Sequence, residues 1–226
     1  MLRAIVFDFD GVIANSEPLH FRAYRDVLAE EGVTLTEADY YAIYLGFDDV
    51  GVFQAIGAAR GPWTRAHVTD LVSRKAVRLE ALERDVSVLF PGAAAAVRRA
   101  SAAMPIAIAS GARGIEIRRV LERENLVGCF TAIVAAEDTP VSKPAPDPYL
   151  RAVALLGPAF VDPLAAADCV AIEDSRWGLE SARAAGLRTV AVTQTYEASA
   201  LIGTADLVIE SLESLDLAAL ARLCSR

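Results

Sequence analysis

A chain of 226 residues that is 54% hydrophobic is long enough to bury a full core, as one large domain or two modest ones. Its formal net charge of −8 argues against a nucleic-acid-binding surface, and its apolar runs are too short to span a membrane. Met1-Leu2-Arg3 leads directly into an apolar run without a signal peptide, so we expect a cytoplasmic protein with no membrane or nucleic-acid partner. The three cysteines are widely spaced and lack a metal-ligand pattern, as expected of ordinary thiols.

The first predicted element is a strand that begins at Ala4 and ends at two aspartates. Its β-branched and aromatic residues are typical of a strand buried on both faces of a parallel sheet. Asp8 and Asp10 follow, and Gly11 then breaks the strand. Residues two apart on a strand point the same way, so both carboxylates can face the ligand crevice at the carboxyl end of a sheet. On this stretch alone, a simple turn-forming role for the two aspartates stays open.

The next stretch, from residue 16 to residue 87, contains only helical patterns. A first helix runs from Leu19 to Glu31, with Ser16 as its predicted N-cap, Pro18 in its first turn and Gly32 at its end. Further helices are predicted to open at Thr36, at Asp48 or Asp49, and at Thr64, the last running towards Glu83. The periodicity indicates no strand in this stretch.

Beyond Val86 short apolar runs alternate with helical patterns, which is typical of a parallel sheet with crossover helices. The predicted strands are Ile106–Ala109, Ala132–Ala135, Val170–Ile172, Thr189–Val192 and Leu207–Ile209. The predicted helices begin near Ala93, Ala112, Asp147 (as a cap), Ser175 and Ser211. We therefore predict an α/β fold, a doubly wound parallel sheet with an all-helical cap domain inserted after the first strand. The predicted domains are a Rossmann-like core of residues 1–15 and 88–226 and a cap of residues 16–87.

Two later stretches place polar groups after predicted strands. Ser110-Gly111-Ala112 combines a hydroxyl with backbone N–H groups at a helix start, an arrangement that suits phosphate oxygens. Lys143 lies in a loop that Pro144 and Pro146 hold stiff, which would position its ammonium group. Each stretch also has an ordinary interpretation, as a Ser-Gly turn and as a solvated lysine in a proline-rich turn.

A second pair of carboxylates, Glu173 and Asp174, follows the predicted strand Val170–Ile172. With Asp8 and Asp10 they would place four carboxylates at strand ends, where they repel one another strongly in a partly desolvated crevice. A hard divalent cation with oxygen ligands removes this repulsion, and octahedral Mg²⁺ suits such a set. The residues therefore predict a Mg²⁺ site.

These stretches, in this order, resemble the haloacid dehalogenase superfamily along nearly the whole chain. The motifs that carry the resemblance are Asp8-Phe9-Asp10-Gly11-Val12 as the first, Ser110 as the second, Lys143 as the third and Glu173-Asp174 as the fourth. The helical insert looks like the cap of the subgroup that contains phosphoglycolate phosphatases and β-phosphoglucomutases.

The resemblance implies a phosphoryl-transfer site. Asp8 would be the nucleophile that takes the phosphoryl group, and Asp10 the general acid and base. The residues that would hold the phosphoryl oxygens are Ser110, Gly111, Ala112 and Lys143. The metal-binding residues would be Asp8, Asp10 through its backbone carbonyl, Asp174 and Glu173, the last close by or acting through water.

Within the family, Asp10 favours phosphate chemistry, because the dehalogenases lack an acid/base aspartate at that position. Phosphonate-cleaving relatives use a cap lysine, but Lys75, the only lysine of the insert, is interpreted as a solvated residue in the middle of a helix. We therefore expect a Mg²⁺-dependent phosphatase that acts on a small phosphorylated metabolite, such as a sugar phosphate or a phosphoglycolate-like compound.

Two alternatives stay open. A β-phosphoglucomutase-type mutase is favoured by His20, which resembles a mutase cap residue, and both His20 and Gly46 are predicted substrate-binding residues. Asp48 and Asp49 count against it, because they would repel a bisphosphate where the mutases carry a basic residue. The second alternative is a non-catalytic binding module that retains the fold. We expect a monomer or a homodimer.

Overall fold

The computed structural model describes residues 1–44, 47–84, 87–201 and 203–225. The chain forms two compact units. The sheet unit consists of Met1–Asn15 and Val88–Arg226, and the helical unit is Ser16–Ser87. Within the described ranges, no helix is long and apolar enough to cross a membrane.

The sheet unit is built on a parallel sheet, as predicted. Its strands are Ala4–Phe7 (β1), Ile106–Ala109 (β2), Ala132–Val134 (β3), Cys169–Glu173 (β4), Arg188–Val192 (β5) and Leu207–Ile209 (β6). Their order is β3-β2-β1-β4-β5-β6, so successive connections build outwards from β1 in both directions. Ile5 of β1 pairs with Ile106 on one side and with Val170 on the other. The doubly wound α/β prediction is therefore confirmed, with β1 in the interior of the sheet.

The helical unit contains helices and turns, and the described part of it contains no strand. Its helices are Glu17–Glu30 (α1), Glu37–Asp39 (α2), Asp49–Ala58 (α3) and Arg65–Glu83 (α4), with a π-helical segment at Tyr40–Tyr44. The side chains of Thr36, Asp48 and Thr64 accept hydrogen bonds from backbone N–H groups in the first turns of α2, α3 and α4, as predicted. Tyr24 and Phe53 lie in the apolar core of the unit, which is separate from that of the sheet unit.

Ser16 is the N-cap residue of α1, as predicted, but its side chain does not cap the helix, and the other predicted cap, Asp147, is not a cap residue. Among the described residues, the Ser16 side chain accepts no hydrogen bond from the first turn of α1, because its backbone is helical (φ −84°, ψ −23°) instead of extended. Asp147 is the first helical residue, not the cap, because the helical hydrogen bonds already begin at the Pro146 carbonyl, which accepts from Leu150.

The remaining helices belong to the sheet unit. They are Ala93–Ala103 (α5), Gly114–Arg123 (α6), Asp147–Leu156 (α7), Arg176–Ala184 (α8), Ala198–Leu201 (α9) and Leu217–Leu223 (α10). The helix α7 packs on β1, β2 and β3, and Tyr149 on its inner face is fully buried against small residues such as Ala4 and Ala107. The loops that join strand ends to α6, α7 and α8 carry the polar residues singled out in the sequence.

Candidate active site

Asp8 lies directly after β1, at the point where the order of the strands changes direction. Open α/β sheets bind ligands in the crevice at such a point. The Asp8 N–H donates to the Ile172 carbonyl at 2.9 Å, so the ladder with β4 continues up to this residue. The Asp8 side chain is buried, and Asp10 beyond it is half-buried. The chain then turns at Gly11, whose φ of +78° is one that glycine adopts readily.

Lys143 joins two of the carboxylates that the sequence predicted to meet. Its Nζ donates to Asp8 Oδ1 at 2.8 Å and to Glu173 Oε1 at 2.5 Å. The Lys143 side chain is only 14% exposed, although it comes from the loop before α7, 135 residues beyond Asp8. Burial alone would lower the pKa of Lys143, but the neighbouring Asp8 and Glu173 carboxylates raise it above its ordinary value. The lysine is therefore a fixed positive charge against Asp8.

Glu173 ends β4 and is completely buried. Besides Lys143, the Tyr149 hydroxyl donates to Glu173 Oε1 at 2.6 Å, and the Ser175 hydroxyl donates to Oε2 at 3.2 Å. The carboxylate also lies against the backbone of Gly178, where a β-carbon would come within 2.0 Å of both oxygens. Protein donors therefore satisfy both oxygens of Glu173, as a buried carboxylate requires.

Asp174 is held by the turn that follows Asp10 and by the loop after β5. A β-carbon on Gly11 would lie 1.9 Å from Asp174 Oδ2, so the carboxylate approaches the glycine backbone closely. The Thr195 side chain hydrogen-bonds to Asp174. Gln194 donates to the carbonyls of Gly11 and Val12 at 2.9 and 3.0 Å, which fixes the turn.

The carboxylates form a cluster with the chemistry of a metal site. One oxygen from each of Asp8, Glu173 and Asp174 lies within 4.8 Å of the others. Burial raises the pKa of Asp8 to about 7, with Glu173 adding to the rise and Lys143 opposing it, and burial raises the pKa of Asp174 as well. One lysine thus faces several buried acids. Oxygen donors of this kind fit a hard divalent cation such as Mg²⁺, which would offset the remaining repulsion.

Ser110 follows β2, the strand that pairs with β1, and it is buried. The Ala112 N–H donates to Ser110 Oγ at 3.0 Å, so the hydroxyl already accepts one hydrogen bond and its proton can be donated elsewhere. Gly111 lies between them in this turn. The helix α6 begins two residues later than predicted, at Gly114, whose N–H donates to Glu137 at 3.0 Å.

The helical unit contains a buried charge group that corrects the prediction for Lys75. This residue is 1% exposed, not solvated, and its Nζ donates to Asp49 Oδ1 at 2.7 Å. It also lies 3.0 Å from His20 Nδ1, and the Tyr24 hydroxyl donates to the same Asp49 oxygen at 2.6 Å. The prediction failed because the acids and arginines around Lys75 suggested an exposed helix face. Gly46 lies outside the described residues.

Four residues of the site were missed in the sequence. Tyr149 reads as an ordinary core residue of an amphipathic helix, and Gly178 as a helical glycine. Gln194 and Thr195 follow β5, so the rule that polar residues after parallel strands meet at one edge could have identified them.

Comparisons with known proteins point to one family. The profile of the haloacid dehalogenase-like hydrolases matches residues 2–186. Hexitol phosphatase B of Escherichia coli is 34% identical over 190 residues, covering 84% of this chain and 82% of the relative. The protein CbbY of Rhodobacter capsulatus is 32% identical, covering 94% and 95%. The crystal structure of CbbY from Rhodobacter sphaeroides in complex with phosphate is 25% identical and superimposes with a TM-score of 0.82 over 97% of this chain and 99% of that one.

Proposed function

The chain belongs to the haloacid dehalogenase-like hydrolase family, and from this premise we propose that it is a Mg²⁺-dependent phosphatase of small phosphorylated metabolites. The observation that carries the proposal is the placement of Asp8 at the switch point of the sheet, 2.8 Å from the Lys143 ammonium and close to Asp174. A buried carboxylate beside a fixed cation is an arrangement suited to attack on an anionic phosphoryl group.

In the proposed first step, an oxygen of Asp8 attacks phosphorus and forms an aspartyl-phosphate while the bond to the leaving oxygen breaks. Asp10 donates a proton to that oxygen, so the product leaves as an alcohol. In the second step Asp10 takes a proton from water, whose oxygen attacks the same phosphorus. The bond to Asp8 breaks, and inorganic phosphate leaves with the carboxylate restored.

The phosphoryl oxygens would be held by donors from the loops that follow two neighbouring strands, β2 and β3. Lys143 has three N–H donors, and two of them are used on Asp8 and Glu173, so one remains for a phosphoryl oxygen. Ser110 would donate its hydroxyl proton, because its oxygen already accepts from Ala112. The Gly111 backbone belongs to the same turn and would contribute its N–H.

The metal would be held by Asp8, Asp174 and the Asp10 backbone carbonyl, with Glu173 beside them. When bound, it would neutralise negative charge on the phosphoryl group and on the nucleophile. The turn at Gly11 would keep the Asp10 carbonyl and Asp174 together, since Gln194 and Thr195 hold its two sides.

For the substrate we propose a sugar phosphate or a phosphoglycolate-like compound. Hexitol phosphatase B, as its name says, acts on a phosphorylated hexitol, and the residues over which it matches cover 84% of this chain. His20 remains a predicted substrate-binding residue of the helical unit. Asp49 is paired with Lys75 inside that unit, so the expected repulsion of a second phosphate now depends chiefly on Asp48, which is exposed.

The test is the release of inorganic phosphate from a panel with Mg²⁺, including an aryl phosphate, a hexitol phosphate, phosphoglycolate and β-glucose 1-phosphate. Release from the parent and none from Asp8→Asn would support the proposal. Conversion of β-glucose 1-phosphate to the 6-phosphate with a bisphosphate primer, without phosphate release, would instead establish a mutase. The absence of any turnover would favour a non-catalytic module.

A further inference from the structure

Tyr149 places a single polar atom at the edge of the carboxylate cluster. The side chain is fully buried, its ring packs among small apolar residues of the sheet, and its hydroxyl donates to Glu173 Oε1 at 2.6 Å. The Lys143 Nζ lies 5.2 Å from the centroid of the same ring. A phenylalanine would fill this position equally well, so the hydroxyl needs an explanation at the site and not in the core.

We propose that Tyr149 is a positioning residue that, through its hydrogen bond to Glu173, keeps this carboxylate as the anchor of Lys143 and not as a ligand of the metal. The inference rests on the proposed phosphatase function and deepens it.

The geometry supports an anchoring role for Glu173 and leaves metal binding to the other carboxylates of the cluster. Glu173 Oε1 receives both the Lys143 ammonium and the Tyr149 hydroxyl, and Oε2 receives the Ser175 hydroxyl. Turning Glu173 towards a cation would break charge-assisted hydrogen bonds inside a buried site, which is costly. Gly178 closes the opposite side, since its backbone lies against the carboxylate. Asp8 and Asp174 are thus left as the side-chain ligands.

The same geometry fixes Lys143. The lysine bridges Glu173 and Asp8, so the direction of its remaining donor depends on where Glu173 Oε1 lies. The Tyr149 hydroxyl holds that oxygen from the side of α7. Groups that orient a functional residue in this way typically change metal affinity or activity about 10- to 100-fold when removed.

The test is a double-mutant cycle of Tyr149→Phe and Glu173→Gln, read by calorimetric titration of Mg²⁺ into the full-length protein. Without the Tyr149 hydroxyl, Glu173 Oε1 loses one of its two donors and can turn towards the cation, so Tyr149→Phe should bind Mg²⁺ about threefold more tightly; Glu173→Gln removes a negative charge and should bind it more weakly. In the Glu173→Gln background the change at Tyr149 should have no further effect. Tyr40→Phe is the matched control, because it removes a buried hydroxyl that donates to Glu17 at 2.6 Å in the helical unit.

Turnover provides a second measurement. We expect Tyr149→Phe to lower kcat about tenfold with KM changed less than about twofold, since Lys143 loses its fixed position but substrate contacts remain. An Mg²⁺ affinity that Tyr149→Phe leaves unchanged or weakens, or an effect of undiminished size in the Glu173→Gln background, would overturn the inference. If the parent protein releases no phosphate, the proposed function fails, whereas the calorimetric cycle still decides the role of Tyr149.

Discussion

The carboxylate of Glu173 occupies the space that a β-carbon on Gly178 would fill. Such an atom would lie 1.9 Å from the carboxylate carbon, far inside van der Waals contact. The side chain has little room to withdraw, because Lys143, Tyr149 and Ser175 each hold one of its oxygens. A glycine inside α8 is therefore a requirement of the site that lies at the end of β4.

Replacing Gly178 with alanine should displace Glu173 and, through it, Lys143. We expect kcat to fall about 100-fold, as for other small misplacements of catalytic groups. The free energy of unfolding should fall by about 1–3 kcal/mol from overpacking. Steady-state kinetics and urea denaturation measure both effects. Gly128→Ala is the control, since a β-carbon there meets nothing within 4 Å; equal effects of the two substitutions would contradict the explanation.

The proposed acid role of Asp10 predicts a dependence on the leaving group. Asp10→Asn should lower kcat/KM strongly for alkyl phosphates, whose leaving oxygen needs a proton, and much less for p-nitrophenyl phosphate. The measurement is phosphate release from aryl and alkyl phosphates of graded leaving-group pKa. Asp8→Asn is the reference, because loss of the nucleophile should lower the rates of all these substrates alike. The acid role is refuted by an equal loss on good and poor leaving groups.

Repulsion among Asp8, Glu173 and Asp174 predicts that the site is unstable without a cation. Asp174→Asn removes one of these charges, so the variant should have a higher Tm than the parent in a chelator. Addition of Mg²⁺ should raise the Tm of the parent, because the ion binds the folded state, and raise that of the variant much less. Differential scanning calorimetry with and without Mg²⁺ checks both. If the variant has a lower Tm than the parent in chelator, repulsion at Asp174 does not destabilise the site.

The sheet and the position of the site could be predicted because both follow from local patterns. Short apolar runs identified each strand, and polar residues beyond the strand ends, such as Asp8 directly after β1 and Lys143 in the loop before α7, identified the crevice. Ser16 is the N-cap residue as predicted, but its side chain does not cap α1 because its backbone is helical, which the sequence does not reveal. The roles of the individual site residues stay predictions.

Contacts between distant parts of the chain account for most of what was missed. Tyr149 and Gly178 look like ordinary helix residues, and only the folded structure brings them to Glu173. Lys75 was misread for the same reason, since its partner Asp49 lies 26 residues away on another helix. Periodicity detects which face of a helix is apolar, but it does not detect a charge that is buried because it has a partner.

Lys75 and Asp49 therefore predict a stability effect that a solvated lysine would not produce. Lys75→Met leaves Asp49 without its cation in a mostly buried place, so the free energy of unfolding should fall by about 3–5 kcal/mol at pH 7. The double variant Lys75→Met/Asp49→Leu should recover much of the loss, because it removes the unpaired charge. Arg74→Met is the control, since its ion pairs with Glu30 and Glu31 are partly exposed and should matter by less than about 1 kcal/mol.

The pH dependence of this effect has a definite sign. Burial alone would raise the pKa of Asp49, but Lys75 and Tyr24 lower it below its ordinary value of 3.8. In the parent, the ionised Asp49 therefore contributes its full stability at pH values above 3.8. This contribution is lost as the pH falls through the lower pKa that Asp49 has in the folded protein. In Lys75→Met burial dominates, the pKa of Asp49 rises, and the carboxyl takes up a proton as the pH falls. Urea denaturation should therefore give a larger difference from the parent at pH 7 than at pH 4, whereas a difference independent of pH would mean that Asp49 is not the group left unpaired.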